Sequence, residues 1–226
     1  MDHQDQNDRQ HAADSRNVRL FIWFRVLFNA RFYYPVFTIL FLDFGLTIEQ
    51  FAILNAVWAA SIVLLEVPSG ALADTIGRRA LLVFAGATMV VEIGLLCIVP
   101  RDHINLLFWV FVLNRVLSGA AEAAASGADE ALAYDSLKRL DRSEEWGAIL
   151  EKQIRLQSLA HVGAMSLGAA VYDPGFMEMV LNRLGFDLVL AQEDTLRLPL
   201  YLTFLMALGT LAACLRMREP RQVDSQ

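Results

Sequence analysis

Charged side chains recur at helical spacing within one long apolar segment of the sequence. Arg115, Gly119, Glu122, Ser126 and Asp129 follow one another at intervals of three or four residues. Residues at this spacing lie on one face of a helix. An ionisable side chain within a membrane span is costly, so it usually faces a bundle interior or a watery cavity. This stripe predicts an ion subsite or a proton relay, with Glu122 or a carboxylate of a facing helix compensating the charge of Arg115; the alternative is a salt-bridge ladder that only holds helices together.

Two further charged residues lie in other apolar segments. Arg31 lies within the first such segment, and Glu66 lies just before Pro68, whose kink can open backbone groups toward a cavity. Glu66 is open to two interpretations, as a packing or gating residue and as a protonatable residue. The candidate substrate or ion pathway consists of Arg31, Glu66, Arg115, Glu122 and Asp129.

The sequence offers little support for catalytic, metal or nucleic-acid chemistry. No Ser/His pair, His-x-x-Glu-His arrangement or Asp dyad is evident, which disfavours an intramembrane enzyme. Cys97 and Cys214 both lie in apolar segments and give neither a disulfide framework nor metal-ligand spacing. A net charge of −6, without a basic stripe, argues against nucleic acid. We therefore predict no catalytic residue, metal or cofactor.

A short cationic turn separates two of the apolar segments. It reads Gly-Ala-Leu-Ala-Asp-Thr-Ile-Gly-Arg-Arg and is called here the Gly70–Arg79 turn. Arginines and lysines gather on the cytoplasmic side of membrane proteins, so the turn indicates which side is inside. Its charged groups can also latch neighbouring helices together, because an acid at the end of the fourth helix (Asp129, Glu130 or Asp135) is expected within reach. The candidate gating residues are Gly70, Asp74, Gly77, Arg78 and Arg79.

The elements that must position these residues are membrane helices. Apolar residues make up 56% of the chain, against about 45–50% in typical soluble proteins. They form runs of the length that a bilayer requires. The sequence therefore predicts that residues 18–217 form an all-α integral membrane domain, which is a bundle of six transmembrane helices. The fourth helix is expected to continue to about Leu137. The predicted spans are 18–42, 51–72, 80–99, 104–125, 154–171 and 198–215.

Small residues are frequent on the fourth and fifth of these spans. Gly119, Gly163 and Gly168 are among them, and they are expected to permit close contact between helices.

The segments around these spans carry further predictions. The polar segment 1–17 and the segment 218–226 are expected to be cytoplasmic tails, the first of them disordered. Thr47 to Gln50 has the form of a capping box that starts the second helix. The long connection from Asp173 to Arg197 is expected to contain an amphipathic helix at the outer interface.

The distribution of cations gives an orientation. With the N-terminus inside, the outer loops carry only Arg101, Arg183 and Arg197, and most other cations lie inside. The sequence therefore predicts a multi-pass protein of the cell membrane (plasma or inner membrane), surrounded by lipid, with both termini cytoplasmic.

Two motifs resemble those of a known family. The Gly70–Arg79 turn, between a second and a third span, resembles the cytoplasmic signature of the major facilitator superfamily. Arg115 followed by Gly119 in the fourth span is similar to its second signature. Thr75 and Ser118 depart from the common pattern, and the fifth span lacks the Gly-Pro pair of drug/proton antiporters. The resemblance implies secondary-active transport of a small solute, driven by an ion or proton gradient.

The resemblance also implies a partner. Transporters of this superfamily have twelve spans in two halves, and the chain resembles the N-terminal six-helix half. Its cytoplasmic signature is understood to latch against the other half in the outward-facing state. We therefore expect a second six-helix half or a homodimer to complete the pathway. The alternative is a truncated, non-transporting remnant, or a regulatory membrane subunit that pairs with another transporter half.

Overall fold

The structure is a computed structural model that describes residues 2–186 and 188–220, with side chains described from Gln10 onward. Every regular element in these ranges is helical, which confirms the all-α prediction. Two short 3-10 turns, Tyr34–Val36 and Ser143–Glu145, join some of the helices. The helices are α1 Asp2–Asn29, α2 Phe37–Asp43, α3 Ile48–Ile76, α4 Arg78–Ile98, α5 Ile104–Ala125, α6 Ala128–Arg139, α7 Trp146–Tyr172, α8 Pro174–Arg183, α9 Gln192–Thr195 and α10 Leu198–Arg216.

Within the described ranges, four helical segments are long and apolar enough to cross a membrane. They are Ile48–Ile76, Arg78–Ile98, Ile104–Arg139 and Gln192–Arg216. The predicted spans 18–42 and 154–171 fall outside this set, so the count of six is not confirmed. The first apolar segment is divided between α1 and α2, and α7 contains Glu151, Lys152 and Arg155.

The expected disordered tail is helical where the structure describes it. Helix α1 begins at Asp2, and Asn17 is fully buried. The Asn17 side-chain amide donates to Ser136 Oγ at 2.9 Å and to the Arg218 carbonyl at 2.8 Å, and its oxygen accepts from the Arg218 N–H at 3.0 Å. These bonds tie α1 to α6 and to the segment after α10. The predictions for residue 1 and for residues 221–226 of the tails lie outside the described residues.

The first predicted span is broken between α1 and α2. Residues 30–33 leave the helix before Pro35, which cannot donate a backbone hydrogen bond. The freed N–H of Phe32 donates to Thr203 Oγ1 at 3.0 Å. On the other side the Phe32 carbonyl packs against Gly168 of α7, where an added Cβ would lie 1.7 Å from the carbonyl oxygen. The break therefore depends on a glycine, and it places Arg31 inside the bundle.

Helix α5 covers the fourth predicted span, 104–125, but the continuation expected after it is interrupted. Gly127, with φ at +73°, separates α5 from α6, so the helix does not run unbroken to Leu137. This left-handed conformation favours glycine. Asp129 consequently leaves the helical register that the sequence predicted for it with Arg115 and Glu122.

Small residues bring some helices together, as the sequence predicted, but not all of them. An added Cβ at Gly119 of α5 would lie 2.6 Å from Ser61 Cβ of α3, so these two helices pack closely. Gly163 of α7 has open space around it, because no atom among its described neighbours lies within 4 Å of such a Cβ. The expectation of close packing at Gly163 is therefore wrong.

Two predicted local features are confirmed. The backbone N–H of Gln50 donates to Thr47 Oγ1 at 3.2 Å, and that of Thr47 donates to Gln50 Oε1 at 2.9 Å, which completes the capping box. The long connection after α7 contains a helix, α8, whose start is capped by Asp173 through a 2.9 Å bond from the Gly175 N–H, while its place at the outer interface stays a prediction.

Candidate functional site

Arg31 is the centre of a buried ionic cluster. It is 1% exposed, and its Nη1 donates to Glu92 Oε1 at 2.7 Å, where Glu92 is completely buried on α4. A second carboxylate, Glu122 of α5, lies 3.8 Å from Arg31 Nη2. The guanidinium also faces the rings of Phe28 and Tyr34, at 5.5 Å and 6.0 Å from their centroids. Three elements therefore meet at one buried cation.

Arg115 is held by an amide and two aromatic rings. Its Nε and Nη2 donate to Asn114 Oδ1 at 3.0 Å and 2.8 Å, and its guanidinium lies 5.2 Å and 5.3 Å from the ring centroids of Phe37 and Phe41. No carboxylate of the described chain forms an ion pair with it. The expectation that Glu122 or an acid of a facing helix pairs with Arg115 is therefore wrong, because Glu122 points to Arg31 instead.

Asn114 links the two arginines. Its amide nitrogen donates to the Glu92 carbonyl at 2.9 Å and to Glu92 Oε2 at 3.4 Å, while its oxygen accepts from Arg115. A continuous polar chain therefore runs from Arg115 through Asn114 and Glu92 to Arg31. The candidate set omitted Glu92 and Asn114. Glu92 carried a usable signal, since it is the only charged residue between Ala80 and Val99.

A cavity of about 210 Å³ lies beside the row of polar groups that runs from Arg115 to Arg31. Glu122, Ser126 and Asp129 line it on one side, and Arg25 and Asn29 of α1 on the other. Its apolar walls are Phe24, Phe28, Ile62 and Ala125. This space can hold several water molecules or a small polar solute, since one water occupies about 30 Å³ in the liquid.

Arg25 supplies the positive charge in this cavity. It forms ion pairs with Asp129, which is 2% exposed, and with the more exposed Glu130. Both acids follow the break at Gly127, which turns the start of α6 toward α1. The structure therefore brings Glu122 and Asp129 to one cavity. Arg31 lies at the edge of this cavity, next to Glu122. Arg115 lies away from it, in the buried row of polar groups that runs through Asn114 and Glu92.

Glu66 lies apart from these groups. It is exposed on α3, and its described contact with the stripe is a 3.5 Å hydrogen bond from Ser126 Oγ to Glu66 Oε1. Glu66 therefore sits beside the cavity rim and does not line the cavity.

The Gly70–Arg79 turn is fastened to two other helices. Arg78 forms an ion pair with Asp135 of α6, which confirms the expected contact with an acid after the fourth span. Arg79 donates from Nε to the Met217 carbonyl at 2.6 Å and from Nη2 to the Leu215 carbonyl at 3.1 Å. These two carbonyls are at the end of α10. Asp74 is exposed and forms no ion pair within the described chain.

Glu219 completes this junction and was missed by the sequence analysis. Its carboxylate accepts the backbone N–H groups of Arg78 at 3.0 Å and Arg79 at 2.7 Å, so it caps the start of α4. Gly77 lies directly under it, since an added Cβ would be 3.0 Å from Glu219 Cδ. The signal was weak, because Glu219 is far from the turn in sequence.

Two carboxyl groups outside the predicted spans, those of Asp14 and Glu145, have shifted pKa values, and both belong to ion pairs within the fold. Burial raises the pKa of Asp14 above its usual value, although the Arg139 guanidinium, 3.3 Å away, opposes the shift. Hydrogen bonds from Arg142, both at 2.6 Å, lower the pKa of Glu145. In the part of the chain that the structure describes, no group of three or more His, Cys, Asp or Glu side chains could hold a metal ion.

Comparison with known proteins identifies the family. The profile of the Major Facilitator Superfamily matches residues 20–226, which include both signatures and every helix from the later part of α1 to α10. No curated protein gives a significant match. With a match over most of its length and membrane-spanning helices in the structure, the chain belongs to the Major Facilitator Superfamily, a family of multi-pass membrane transporters.

Proposed function

We propose that the chain carries out secondary-active transport of a small polar solute through the cavity between α1 and the α5–α6 break. The observation that carries the proposal is the Arg25–Asp129 ion pair, because both of its members line a cavity although Asp129 itself is only 2% exposed. Ion pairs that only hold helices together have no need of such a space. Glu122, which lines the same cavity, extends the site toward Arg31.

The charges suggest how binding is coupled to a conformational change. A proton on Asp129, or a cationic group of a solute beside it, competes with Arg25 for the same carboxylate. Loss of that pair would loosen the contact between α1 and α6 beside the cavity, since Arg25 and Asp129 belong to these two helices, while the Asn17–Ser136 bond still joins them elsewhere. Glu122 is the second carboxylate beside Arg31, and it therefore links the cavity to the row of polar groups that contains Glu92. A ligand changes the conformation only through such differential contacts.

We further propose six spans, with α1–α2 and α7 as the two additional ones and both termini on the cytoplasmic side of the cell membrane. The cation asymmetry supports this orientation. The apolar face of α7 supports its place in the membrane, because Leu159 and Val162 are 67% and 63% exposed.

A second six-helix bundle, either another copy or a partner half, is proposed to cover the face formed by α3 and α7. The apolar part of α3 is only 11% buried within the chain, and Val63, Leu64 and Val67 are each more than two-thirds exposed. Ser126 and Glu66 lie at the cavity rim, and this rim is on the same side of the molecule as the exposed face. Alternating access moves one bundle against another around a shared site, which requires such a facing surface.

Proton-coupled flux tests the proposal. The protein is reconstituted into liposomes that contain a pH-sensitive dye, and pools of amino acids, sugars, organic acids and amines are added outside. We expect one class to produce a proton flux that Asp129→Asn abolishes, while Glu151→Gln, an exposed acid on α7, leaves it unchanged. Equal flux in the parent and Asp129→Asn would reject the cavity as the pathway. Absence of flux, with altered activity of a co-reconstituted transporter half, would favour the regulatory subunit.

A further inference from the structure

A second cavity, of about 360 Å³, lies where the start of α4 meets the end of α10 and the side of α1. Four guanidinium groups line it, those of Arg16, Arg79, Arg216 and Arg218. The described acid in its lining is Glu219. The cavity is separate from the Arg25–Asp129 site, and nothing in the proposed transport cycle uses it.

The acids around this cavity already form hydrogen bonds or ion pairs with other groups of the chain. Glu219 accepts the two backbone N–H groups at the start of α4. Asp135 pairs with Arg78, and Asp14 pairs with Arg139. The cavity lining therefore carries an excess of positive charge, with no nearby carboxylate free to neutralise it within the described chain.

Several donors in the lining have no acceptor. Arg16, Arg216 and Arg218 form no side-chain hydrogen bond or ion pair with the described residues, and the Nε of Arg16 is buried without a partner. Arg79 is partly used, because two of its nitrogens donate to carbonyls of α10. A buried donor without an acceptor is unfavourable, so an acceptor supplied from outside the chain would be favoured.

We propose that this cavity binds the phosphodiester group of an anionic phospholipid in the leaflet that faces the Gly70–Arg79 turn. Guanidinium groups bind phosphate oxygens through pairs of charge-assisted bonds. Leu215 lines the same cavity and is 53% exposed, so an acyl chain can continue from the bound headgroup along an apolar surface. This continuity favours a lipid over a soluble phosphate. Basic pockets between membrane helices are suited to such headgroups. The proposal does not depend on transport activity.

Lipid binding to the purified full chain tests this site. Native mass spectrometry in detergent counts the bound lipids as dioleoylphosphatidylglycerol or dioleoylphosphatidylcholine is titrated. We expect the parent to bind one phosphatidylglycerol in preference to phosphatidylcholine. Arg16→Gln combined with Arg218→Gln should weaken this binding by at least roughly tenfold, since the variant loses charge-assisted bonds to the phosphate, which are stronger than neutral ones.

A matched control separates the site from the effect of net charge. Arg155→Gln combined with Arg183→Gln removes two exposed arginines elsewhere and should leave the preference for phosphatidylglycerol intact. If the first double variant does not fold, Arg216→Gln with Arg218→Gln replaces it, because both side chains are exposed. Equal loss in the control, or equal binding of both lipids by the parent, would overturn the proposal. Displacement of the lipid by equimolar inorganic phosphate would also overturn it, because it would identify a soluble-anion site.

Discussion

Removal of the Glu92 charge should destabilise the bundle more than removal of any other acid near the site. Glu92 is completely buried, and its oxygen is 2.7 Å from the Nη1 of an arginine that is 1% exposed. Breaking a buried pair from one side costs about 3–5 kcal/mol, because the remaining charge keeps its desolvation penalty. Glu122 is 3.8 Å from the same guanidinium and can compensate in part. We therefore expect Glu92→Gln to cost about 3 kcal/mol, at the lower end of that range.

The assay is the free energy of unfolding in mixed micelles, measured by titration with sodium dodecyl sulfate. Glu122→Gln is the matched control, and it should cost about 1 kcal/mol or less because its side chain is 33% exposed. Arg31→Met combined with Glu92→Met should recover most of the loss, since neither charge then remains buried. Equal stability of Glu92→Gln and the parent would refute the reasoning, as would equal losses in Glu92→Gln and Glu122→Gln.

Three further predictions follow from packing, capping and burial. Gly168→Ala should prevent the native break between α1 and α2 and lower the yield of folded protein, because the added Cβ would meet the Phe32 carbonyl. Gly163→Ala, the control, should be nearly neutral. Size-exclusion profiles in detergent compare the two variants. Glu219→Ala should increase proteolysis at the Gly70–Arg79 turn, because two N–H groups lose their acceptor, while Asp74→Ala should not. Burial raises the pKa of Asp14, so the unfolded chain loses this proton first and folding becomes less favourable as pH rises above about 3.9. Asp14→Asn should therefore flatten this fall in a pH series of unfolding free energies, and an unchanged slope would contradict the assignment.

The sequence predicted the features that depend on local pattern. The capping box at Thr47 and the helix after Asp173 follow from residue types a few positions apart, and both are confirmed. The close approach of α5 to α3 at Gly119 likewise follows from a small residue on an apolar helix. The family resemblance rested on two motifs of fixed spacing, and the profile match confirms it.

Features that depend on tertiary contacts were beyond reach. The break before Pro35 is stabilised by Thr203 and Gly168, which lie far away in sequence. The partner of Arg115 was predicted from helical spacing, but Asn114 is the residue beside it and reaches the guanidinium from the same helix. Hydrophobic pattern also could not show that residues 2–17 are helical. At the end of this segment, Asn17 is buried through tertiary contacts such as its hydrogen bond to Ser136.

The central claim is that Ser126 and Asp129 line a water-accessible pathway, and thiol labelling tests it most directly. Ser126→Cys is made in a Cys97→Ala/Cys214→Ala background and reconstituted in lipid vesicles with known protein orientation. Leu205→Cys, an exposed apolar position on α10 and outside the face of α3 and α7, is the lipid-facing control. We expect a membrane-impermeant methanethiosulfonate reagent to label Ser126→Cys from the side of the Gly70–Arg79 turn and to leave Leu205→Cys unlabelled. An imposed pH gradient should change the labelling rate of Ser126→Cys. Failure to label Ser126→Cys from either side, or a rate that no gradient alters, would contradict the account.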